Sequence, residues 1–271
     1  MERLFIKYLW LRLIGSRPGC IDPWSGASIN FSVSQPPPFS IVVVVPAYNP
    51  GPVLESTLRG ILTGGWRTVL VDDGCTDGTA DLVRRLAAEF TGLLRMENHA
   101  VNEGKGAAVI TGVRAAQAWG ASHAVLFDAD GQHPAEEIAG YAAIGEKNPS
   151  AMVCGVPQFG AEAPWERRLC RRLANGGLAL LTRGKGPQDV LFGMRCVPCA
   201  ALMECMLSTR QGRKYDFEAE SAIQHCRRGY PVINVPVPVR YLTQADGGIS
   251  HYHYIRDNAR LAGLFFRRLI S

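Results

Sequence analysis

Short apolar runs alternate along the chain with longer stretches in which apolar residues recur at helical spacing. Ile41 to Val45 is a continuous β-branched run, which is typical of a parallel strand buried on both faces. Beyond it the pattern predicts a helix at 54–62, a strand at 68–71, a helix at 79–90, a strand at 93–96, a helix at 105–119 and a strand at 123–127. This alternation predicts an α/β fold with a Rossmann-like, mostly parallel sheet and helices on both faces.

The two ends of the chain differ in composition from this central pattern. Residues 1–39 join a basic, apolar stretch to a Gly-, Ser- and Pro-rich linker, and Lys7 and Arg12 interrupt what would be the apolar core of a signal peptide. We therefore expect residues 1–39 to precede a single domain at 40–245, with a loop and a basic amphipathic helix at 246–271. The length suits one large domain.

The C-terminal helix predicted from Ile255 to Ile270 has two faces. Its basic face carries Arg256, Arg260 and Arg267, and the opposite arc carries Leu261, Phe265, Phe266 and Leu269. Such a helix packs on its domain or lies on an anionic membrane, and the sequence supports both, with packing as the default. The same alternatives hold for the basic cluster Arg167, Arg168, Arg171 and Arg172: a charged helix face, or a site for an anionic acceptor or headgroup.

Charge and cysteine content narrow the class of partner and the compartment. The formal net charge of +5 is mild for a nucleic-acid binder, and it fits anionic substrates or a phospholipid surface. The eight cysteines lack the regular spacing of a disulfide scaffold, and Cys196 and Cys199 form a C-x-x-C with no second pair at zinc-like spacing. We expect reduced, structural thiols in a protein that is cytoplasmic or peripheral on the inner face of a membrane, with no nucleic-acid partner.

Polar motifs follow three of the predicted elements. Pro46-Ala47-Tyr48-Asn49-Pro50 follows the first strand, and Asp72-Asp73-Gly74-Cys75-Thr76-Asp77-Gly78-Thr79 follows the second. Helix capping by Asp77 or Thr79 accounts for part of the second motif. It does not account for Asp73, a candidate to accept hydrogen bonds from a base or a ribose. Asn102-Glu103-Gly104-Lys105-Gly106 places two glycines and a lysine at a helix start, an arrangement suited to a phosphate.

The sharpest motif, Asp128-Ala129-Asp130-Gly131-Gln132-His133-Pro134, comes directly after the predicted strand at 123–127. Oxygen ligands at alternate positions suit Mg²⁺ or Mn²⁺, which also takes diphosphate oxygens from a substrate. Ligands of open parallel sheets bind at the carboxyl ends of the strands, where these motifs lie.

Six segments together resemble the glycosyltransferase family 2 proteins of the GT-A fold, particularly the branch of dolichyl-phosphate mannose and glucose synthases. They are VVVVPAYN, VDDGCTDGT, NEGKGAA, FDADGQHP, DVLFGMR and YDFEAE, and the resemblance covers residues 40–245. It implies inverting, metal-assisted transfer of a sugar from a UDP- or GDP-linked donor to a lipid-linked acceptor, with Mg²⁺ or Mn²⁺ as cofactor. Cys75 stands where the family usually has serine, and Pro50 where this branch often has an acidic residue.

The resemblance also implies roles for individual residues. The nucleotide-sugar contacts would be Pro46, Tyr48, Asp73, Asp128 and Ala129, with Lys105 added from its glycine-flanked position. The metal ligands would be Asp128, Asp130 and Gln132. The catalytic set would be Asp130, Arg195 near phosphate, and either Asp216 or Glu218 near the acceptor.

A general base is required for a hydroxyl acceptor and not for a lipid phosphate, which is already an anion. The candidates for a base are Asp189, Asp216, Glu218 and Glu220. Helical spacing places Asp216 and Glu220 on one face and Glu218 on the other. His251 and His253, in the segment after Gly247, are candidates to contact the metal or diphosphate, with polar surface as the alternative.

Two other functions remain as alternatives. A noncatalytic nucleotide-sugar-binding protein would keep the donor half without turnover, although the intact Asp128 and Asp130 argue against it. A sugar-nucleotide pyrophosphorylase would need a glycine-rich, arginine-containing loop after the first strand, which PAYNPGP does not supply.

Overall fold

The computed structural model describes residues 38–158, 165–209, 211–238 and 254–270, with the backbone alone at 165–169 and 254–258. The predicted N-terminal segment and linker up to residue 37, and the loop with His251 and His253, lie outside the described residues. The side chains of Arg167, Arg168 and Arg256 do as well.

Seven strands within the described ranges form one sheet in the order β3-β2-β1-β4-β6-β5-β7. They are β1 (Ile41–Ala47), β2 (Thr68–Asp73), β3 (Leu94–His99), β4 (His123–Leu126), β5 (Met152–Gln158), β6 (Arg195–Pro198) and β7 (Val232–Pro238). All run in the same direction except β6, which pairs antiparallel with both β4 and β5. The mostly parallel sheet expected from the sequence is confirmed, and the reversed strand is an addition to it.

Eight helices are described beside the sheet. They are α1 (Val53–Thr63), α2 (Thr79–Glu89), α3 (Lys105–Ala118), α4 (Glu137–Lys147), α5 (Trp165–Thr182), α6 (Cys199–Leu207), α7 (Phe217–Arg227) and α8 (Tyr254–Leu269). The elements predicted between residues 41 and 127 agree with these bounds to within three residues at each end.

Strand β1 shows why both faces of the sheet are covered. Val43 and Val45 belong to the core cluster that includes apolar residues of α1, α2 and α4. Val42 and Val44 point to the other face and join the cluster with α3, α6 and Phe217 of α7. Side chains alternate along a strand, so an unbroken β-branched run requires an apolar layer on each side. The prediction of helices on both faces is confirmed.

The C-terminal helix packs on the domain through a third core cluster. Leu261 and Leu264 of α8 are buried against residues of α5 and α7. Arg268 is the basic residue directed inward, and its Nε donates to Glu220 Oε2 of α7 over 3.0 Å. Phe266, expected on the packed arc, is instead 65% exposed. No helix in the described ranges is both long and apolar enough to span a bilayer.

The cysteines that the structure describes are free thiols. Cys196 lies in β6 and Cys199 begins α6, and each is buried in a different core cluster, on opposite faces of the sheet. Burial raises the pKa of each thiol to about 12. The pair is therefore part of the apolar packing, as expected for structural cysteines.

Candidate active site

Three neighbouring strands end at one edge of the sheet. β1 pairs in parallel with β2 on one side and β4 on the other. The chain segments that follow these strands begin at Tyr48, Gly74 and Phe127. The nucleotide and metal motifs predicted from the sequence therefore meet at the carboxyl edge of a parallel sheet, where such folds bind ligands.

The loops after β1 and β2 are joined by hydrogen bonds. The Asn49 side-chain oxygen accepts from Thr76 N over 2.7 Å, and Asp77 Oδ2 accepts from Gly51 N over 3.1 Å. Asn49 adopts a positive φ of 43°, a conformation that asparagine tolerates better than most residues. These bonds shape a fixed rim beside Tyr48, whose side chain is 39% exposed, while Pro46 is half-buried.

Cys75, which replaces the serine usual in the resembling family, takes part in this rim. Its sulfur accepts from Asn49 N over 3.2 Å and donates to Ala47 O over 3.4 Å. Burial raises the pKa of the thiol to about 12, so it stays protonated. The cysteine thus keeps a donor and an acceptor between the two loops, as a hydroxyl would.

Asp73, predicted to contact the nucleotide, is buried at the end of β2. Its carboxylate accepts from the backbone N–H groups of Glu103 and Gly104, each over 2.9 Å. Its Oδ1 also lies 2.7 Å from His99 Nδ1, and His99 Nε2 lies 2.9 Å from Thr111 Oγ1. Asp73 therefore holds the loop before α3 in its conformation. A contact between Asp73 and the nucleotide stays a prediction.

The glycines around Lys105 serve a purpose that differs from the predicted phosphate cradle. A Cβ on Gly106 would lie 2.1 Å from Gly212 O, and one on Gly104 would lie 2.8 Å from Arg213 O. Ala107 N donates to Arg213 O over 3.0 Å. The loop therefore approaches the backbone that precedes α7, because only glycine leaves room for that contact.

Lys105 bridges two carboxylates at the centre of the site. Its Nζ lies 2.7 Å from Asp128 Oδ1 and 2.6 Å from Glu218 Oε1. Burial alone would lower the pKa of Lys105, but the two carboxylates outweigh it and raise the pKa far above its usual range. The amine is a permanent cation that joins α3, the end of β4 and the first turn of α7.

The pKa values of the two aspartates of the D-x-D motif shift in opposite directions. Burial opposes ionisation of Asp128, yet Lys105 and His133 outweigh it and lower the pKa of that carboxyl. Burial and the nearby charge of Asp128 raise the pKa of Asp130. Asp130 Oδ1 accepts from Gln132 N over 3.0 Å. Asp128 and Asp130 together form a carboxylate pair in which the second charge lacks sufficient compensation, the condition that a divalent cation would relieve.

Ala129, between the two aspartates, is 8% exposed and packs in the core cluster under α1, α2 and α4. Gln132 is half-buried beside them. Among the residues that the structure describes, no group of three or more His, Cys, Asp or Glu side chains forms a ready-made metal site. Two carboxylates and an amide oxygen fit a cation that completes its shell with substrate phosphates.

Arg195, predicted to lie near phosphate, is 1% exposed at the start of β6. Its guanidinium donates to Glu218 O over 2.8 Å, to Ser221 Oγ over 3.3 Å and to Val190 O over 3.3 Å. The structure thus directs Arg195 into the fold, where it positions the first turn of α7. A contact with phosphate is not part of this arrangement.

The four candidate bases lie in different surroundings. Glu218 joins Lys105 in the central cluster. Asp216 binds its own loop, since its oxygens accept from Gly212 N over 3.0 Å and Lys214 N over 3.1 Å. Asp189 pairs with Arg171, and Glu220 pairs with Arg268. The predicted division between the faces of α7 is observed, and Glu218 is the member that faces Asp128.

The comparison with family models decides the class of this site. Residues 42–207, more than half of the chain, match the model of glycosyl transferase family 2. The chain belongs to glycosyl transferase family 2. It is therefore a glycosyltransferase, and the matched range contains the three strand-end motifs and Lys105.

Two curated relatives of this glycosyltransferase are named for lipid phosphates. The UDP-N-acetylglucosamine–dolichyl-phosphate N-acetylglucosaminyltransferase of Methanococcus voltae is 26% identical, covering 74% of this chain and 86% of its own. The polyprenol monophosphomannose synthase of Mycolicibacterium smegmatis is also 26% identical, covering 67% of this chain and 68% of its own.

Solved structures share the fold at lower identity. A mycobacterial protein superposes with a TM-score of 0.59 at 19% identity, covering 77% of this chain and 70% of its own. Residues 1–349 of S. aureus TarS in complex with UDP-GlcNAc give a TM-score of 0.55 at 14% identity, covering 86% and 67%. These similarities confirm the GT-A fold expected from the sequence.

Two residues of the glycosyltransferase site were absent from the sequence-based set, although both lie in its motifs. His133 Nε2 lies 3.4 Å from Asp128 Oδ2, and its ring is held edge-on between Phe127 and Phe192. Gly193, in DVLFGMR, faces the same carboxylate: a Cβ there would lie 2.1 Å from Asp128 Oδ2. The motif suggests His133 by position, whereas the need for Gly193 depends on a contact 65 positions away along the chain.

We expect Gly193→Ala to lower the turnover of the glycosyltransferase by about 100-fold, because the new methyl group must displace the Asp128 carboxylate by roughly an ångström. The backbone of Gly193 does not have a positive φ, so alanine adds no strain there. Steady-state kinetics checks this. Gly176→Ala is the matched control, since its Cβ would meet nothing within 4 Å; equal activities of the two variants would contradict the assigned contact.

Proposed function

We propose that this glycosyltransferase moves a sugar from a UDP- or GDP-linked donor to a lipid-linked phosphate, with the aid of Mg²⁺ or Mn²⁺. The observation that carries the proposal is the half-buried pair of Asp128 and Asp130 at the edge where the loops after β1, β2 and β4 meet. Burial and the charge of Asp128 raise the pKa of Asp130. Such a site favours a cation that arrives with an anionic substrate.

Asp128, Asp130 and Gln132 are the residues that would hold this cation. When bound, it would supply positive charge to the diphosphate leaving group of the donor. Lys105 places one positive charge between Asp128 and Glu218, which offsets part of the repulsion between these carboxylates and an anionic donor. The chain's own part is to orient the donor and to exclude water from the anomeric carbon.

The donor's nucleotide fits the rim beside Tyr48. This side chain is exposed next to loops that are fixed by their mutual hydrogen bonds, which suits an aromatic contact with a base. Pro46 precedes it at the same edge of the sheet. The name of the Methanococcus relative and the TarS complex support a UDP-sugar. The family resemblance keeps a GDP-linked sugar as the alternative donor.

Asp128 and Glu218 are both paired with Lys105, which fits a lipid phosphate as the acceptor. Such an acceptor is an anion and attacks the anomeric carbon without a general base, inverting that centre. Glu218, the candidate base that faces the site, is bound to Lys105 and so acts by holding that amine. The two relatives named for dolichyl and polyprenol phosphates support this acceptor class.

The acceptor class gives a prediction for Glu218→Gln. With a lipid phosphate as acceptor we expect turnover to fall by less than about tenfold, because only one contact of Lys105 is weakened. If Glu218 were a general base for a hydroxyl acceptor, turnover would fall by roughly 100- to 10,000-fold. Single-turnover rates of transfer separate these outcomes, and Glu204→Gln, at an exposed glutamate of α6, controls for the loss of one charge.

We further propose that the protein works at the cytoplasmic face of a membrane without crossing it. The apolar residues Phe266 and Leu269 of α8 are exposed, as are Leu173 and Leu180 of α5. Phe265 of α8 contacts the Gly177 position of α5, so the exposed leucines lie beside the contact between the two helices. This arrangement is typical of a surface that meets lipid.

A panel of nucleotide sugars tests the proposed donor. We expect one UDP- or GDP-sugar to bind in the presence of Mg²⁺ or Mn²⁺ and to raise the thermal midpoint, with little effect of the sugar or the metal alone. Tyr48→Ala should weaken this binding by roughly 10-fold or more, because the stacking contact between the tyrosine ring and the base is lost. Binding of every donor at equal strength, with or without metal, would reject the proposed site.

A further inference from the structure

A basic cavity of about 240 Å³ lies between α8 and the loop that joins α6 to α7. The four cationic residues of its lining come from both walls: Arg213 and Lys214 from the loop, and Arg260 and Arg267 from the helix. Asp216 is the acidic residue of the lining. The cavity is therefore strongly positive, and none of the roles assigned above uses these four side chains.

The acidic residues that the structure describes around this basic cavity are engaged with other partners. Both oxygens of Asp216 are engaged with backbone N–H groups of its own loop, which they hold in shape. Glu220, one helical turn further along α7, is paired with Arg268. Arg267 donates to the side-chain oxygen of Gln211 over 3.2 Å, a neutral partner that leaves its charge uncompensated. Arg213, Lys214 and Arg267, which face one committed carboxylate, favour binding of an anion with several oxygens, such as a phosphate group.

The helix that forms one wall also carries an exposed apolar face. Arg260 and Arg267 are seven residues apart and so lie on the same side of α8. Phe266 is 65% exposed, and Leu269 at the end of the helix and Ile270 directly after it are also exposed. An apolar face flanked by arginines is the pattern of a helix that lies in the interface of an anionic membrane.

We propose that the basic cavity binds the phosphate of an anionic phospholipid while Phe266, Leu269 and Ile270 enter the membrane interface. The site is separate from the donor site, and it deepens the membrane contact proposed above. Its loop wall also touches the active site, because Arg213 O accepts from Ala107 N, two residues after Lys105. Docking would thus hold the transfer centre next to the surface from which a lipid acceptor arrives.

The test is flotation of the full chain with vesicles of phosphatidylcholine, with and without phosphatidylglycerol. We expect the wild type to prefer the anionic vesicles, and Lys214→Gln/Arg267→Gln to reduce that binding by about tenfold or more, since each basic residue near the surface contributes roughly equally. Arg84→Gln/Arg85→Gln removes the same net charge from exposed positions of α2 and should change binding less than about twofold.

Other outcomes overturn the proposal. Equal binding of the wild type to both vesicle types would do so, as would equal losses in the two double variants. A third set of vesicles, phosphatidylcholine with a polyprenyl phosphate, identifies the lipid: a loss confined to these vesicles would make the cavity an acceptor site instead. Transfer of a labelled sugar to a polyprenyl phosphate in detergent, measured without vesicles, tests the transferase separately, so vesicle binding by a wild type that transfers no sugar would reject the proposed function and leave the cavity's role intact.

Discussion

Asp130→Asn is expected to lower metal-dependent sugar transfer by about 1,000-fold while leaving the metal-free protein at least as stable as the wild type. The loss of turnover follows because an amide replaces the anionic oxygen proposed to hold the cation, and electrostatic groups of this kind contribute on the order of 100- to 1,000-fold each. The stability follows from the raised pKa of Asp130: the fold disfavours the ionised carboxylate above that pKa, and asparagine removes the charge.

Thermal unfolding with and without Mn²⁺ and nucleotide measures both parts of the Asp130 prediction. The wild type should gain stability from the combination, whereas Asp130→Asn should not. Asp81→Asn removes a carboxylate from the exposed first turn of α2, and it should behave as the wild type in both assays. A variant at Asp130 that transfers sugar at the wild-type rate would refute the assignment of the D-x-D motif.

Lys105→Met is expected to lower the free energy of unfolding by about 2–4 kcal/mol at pH 7, because it leaves the buried carboxylate of Glu218 and the half-buried carboxylate of Asp128 without their shared cation. Lys105 holds the pKa of Asp128 below its usual value. That interaction stabilises the wild type above the unfolded pKa of aspartate and is lost as the pH falls through the lowered value. The difference between variant and wild type should therefore stay nearly constant from pH 7 down to about 4 and narrow below that pH.

Urea denaturation at several pH values measures this difference. Adding Glu218→Gln to Lys105→Met removes one of the two stranded charges, and the double variant should be more stable than Lys105→Met alone. A Lys105→Met protein within about 0.5 kcal/mol of the wild type at pH 7 would show that the bridge contributes little, as solvent-exposed ion pairs do.

The first half of the fold could be predicted from the sequence because its strands and helices follow from local patterns of apolar residues. The run from Ile41 to Val45 requires a strand with both faces covered, and the periodic stretches after it predicted the helices in place. The edge of the sheet that carries the motifs follows from the same alternation, since parallel strands end together. The prolines at 236 and 238 favour an edge strand over a central one, and β7 does form one edge of the sheet.

The second half was less accessible because its structure depends on distant contacts. No elements were predicted between the D-x-D motif and α7, and nothing local indicates that β6 runs against its neighbours. The glycines beside Lys105 were assigned to a phosphate, yet they make room for the backbone at Gly212 and Arg213. Arg195 was assigned to the same kind of ligand and is instead buried against α7. The sequence alone does not show which backbone atoms a glycine or an arginine contacts.

The pairing of Lys105 with Glu218 shows the same limit at the site itself. Helical spacing separated Glu218 from Asp216 and Glu220, and it did not select the face that meets the D-x-D motif. Three elements settle this together, because α3 supplies the amine, β4 leads into Asp128 and α7 supplies the glutamate. Only the folded chain brings the carboxylates of Asp128 and Glu218 within 3 Å of the Lys105 amine.

The most direct test of sugar transfer to a lipid phosphate follows a labelled sugar. The wild type is incubated with a labelled UDP- or GDP-sugar, a polyprenyl phosphate and Mn²⁺, and the label is measured in the organic phase. We predict that label from one donor moves to the lipid phosphate, and that chelation of the metal prevents it. A folded protein that binds the donor with metal, yet transfers no label to lipid or water from any donor, would contradict the account and favour a noncatalytic nucleotide-sugar-binding protein.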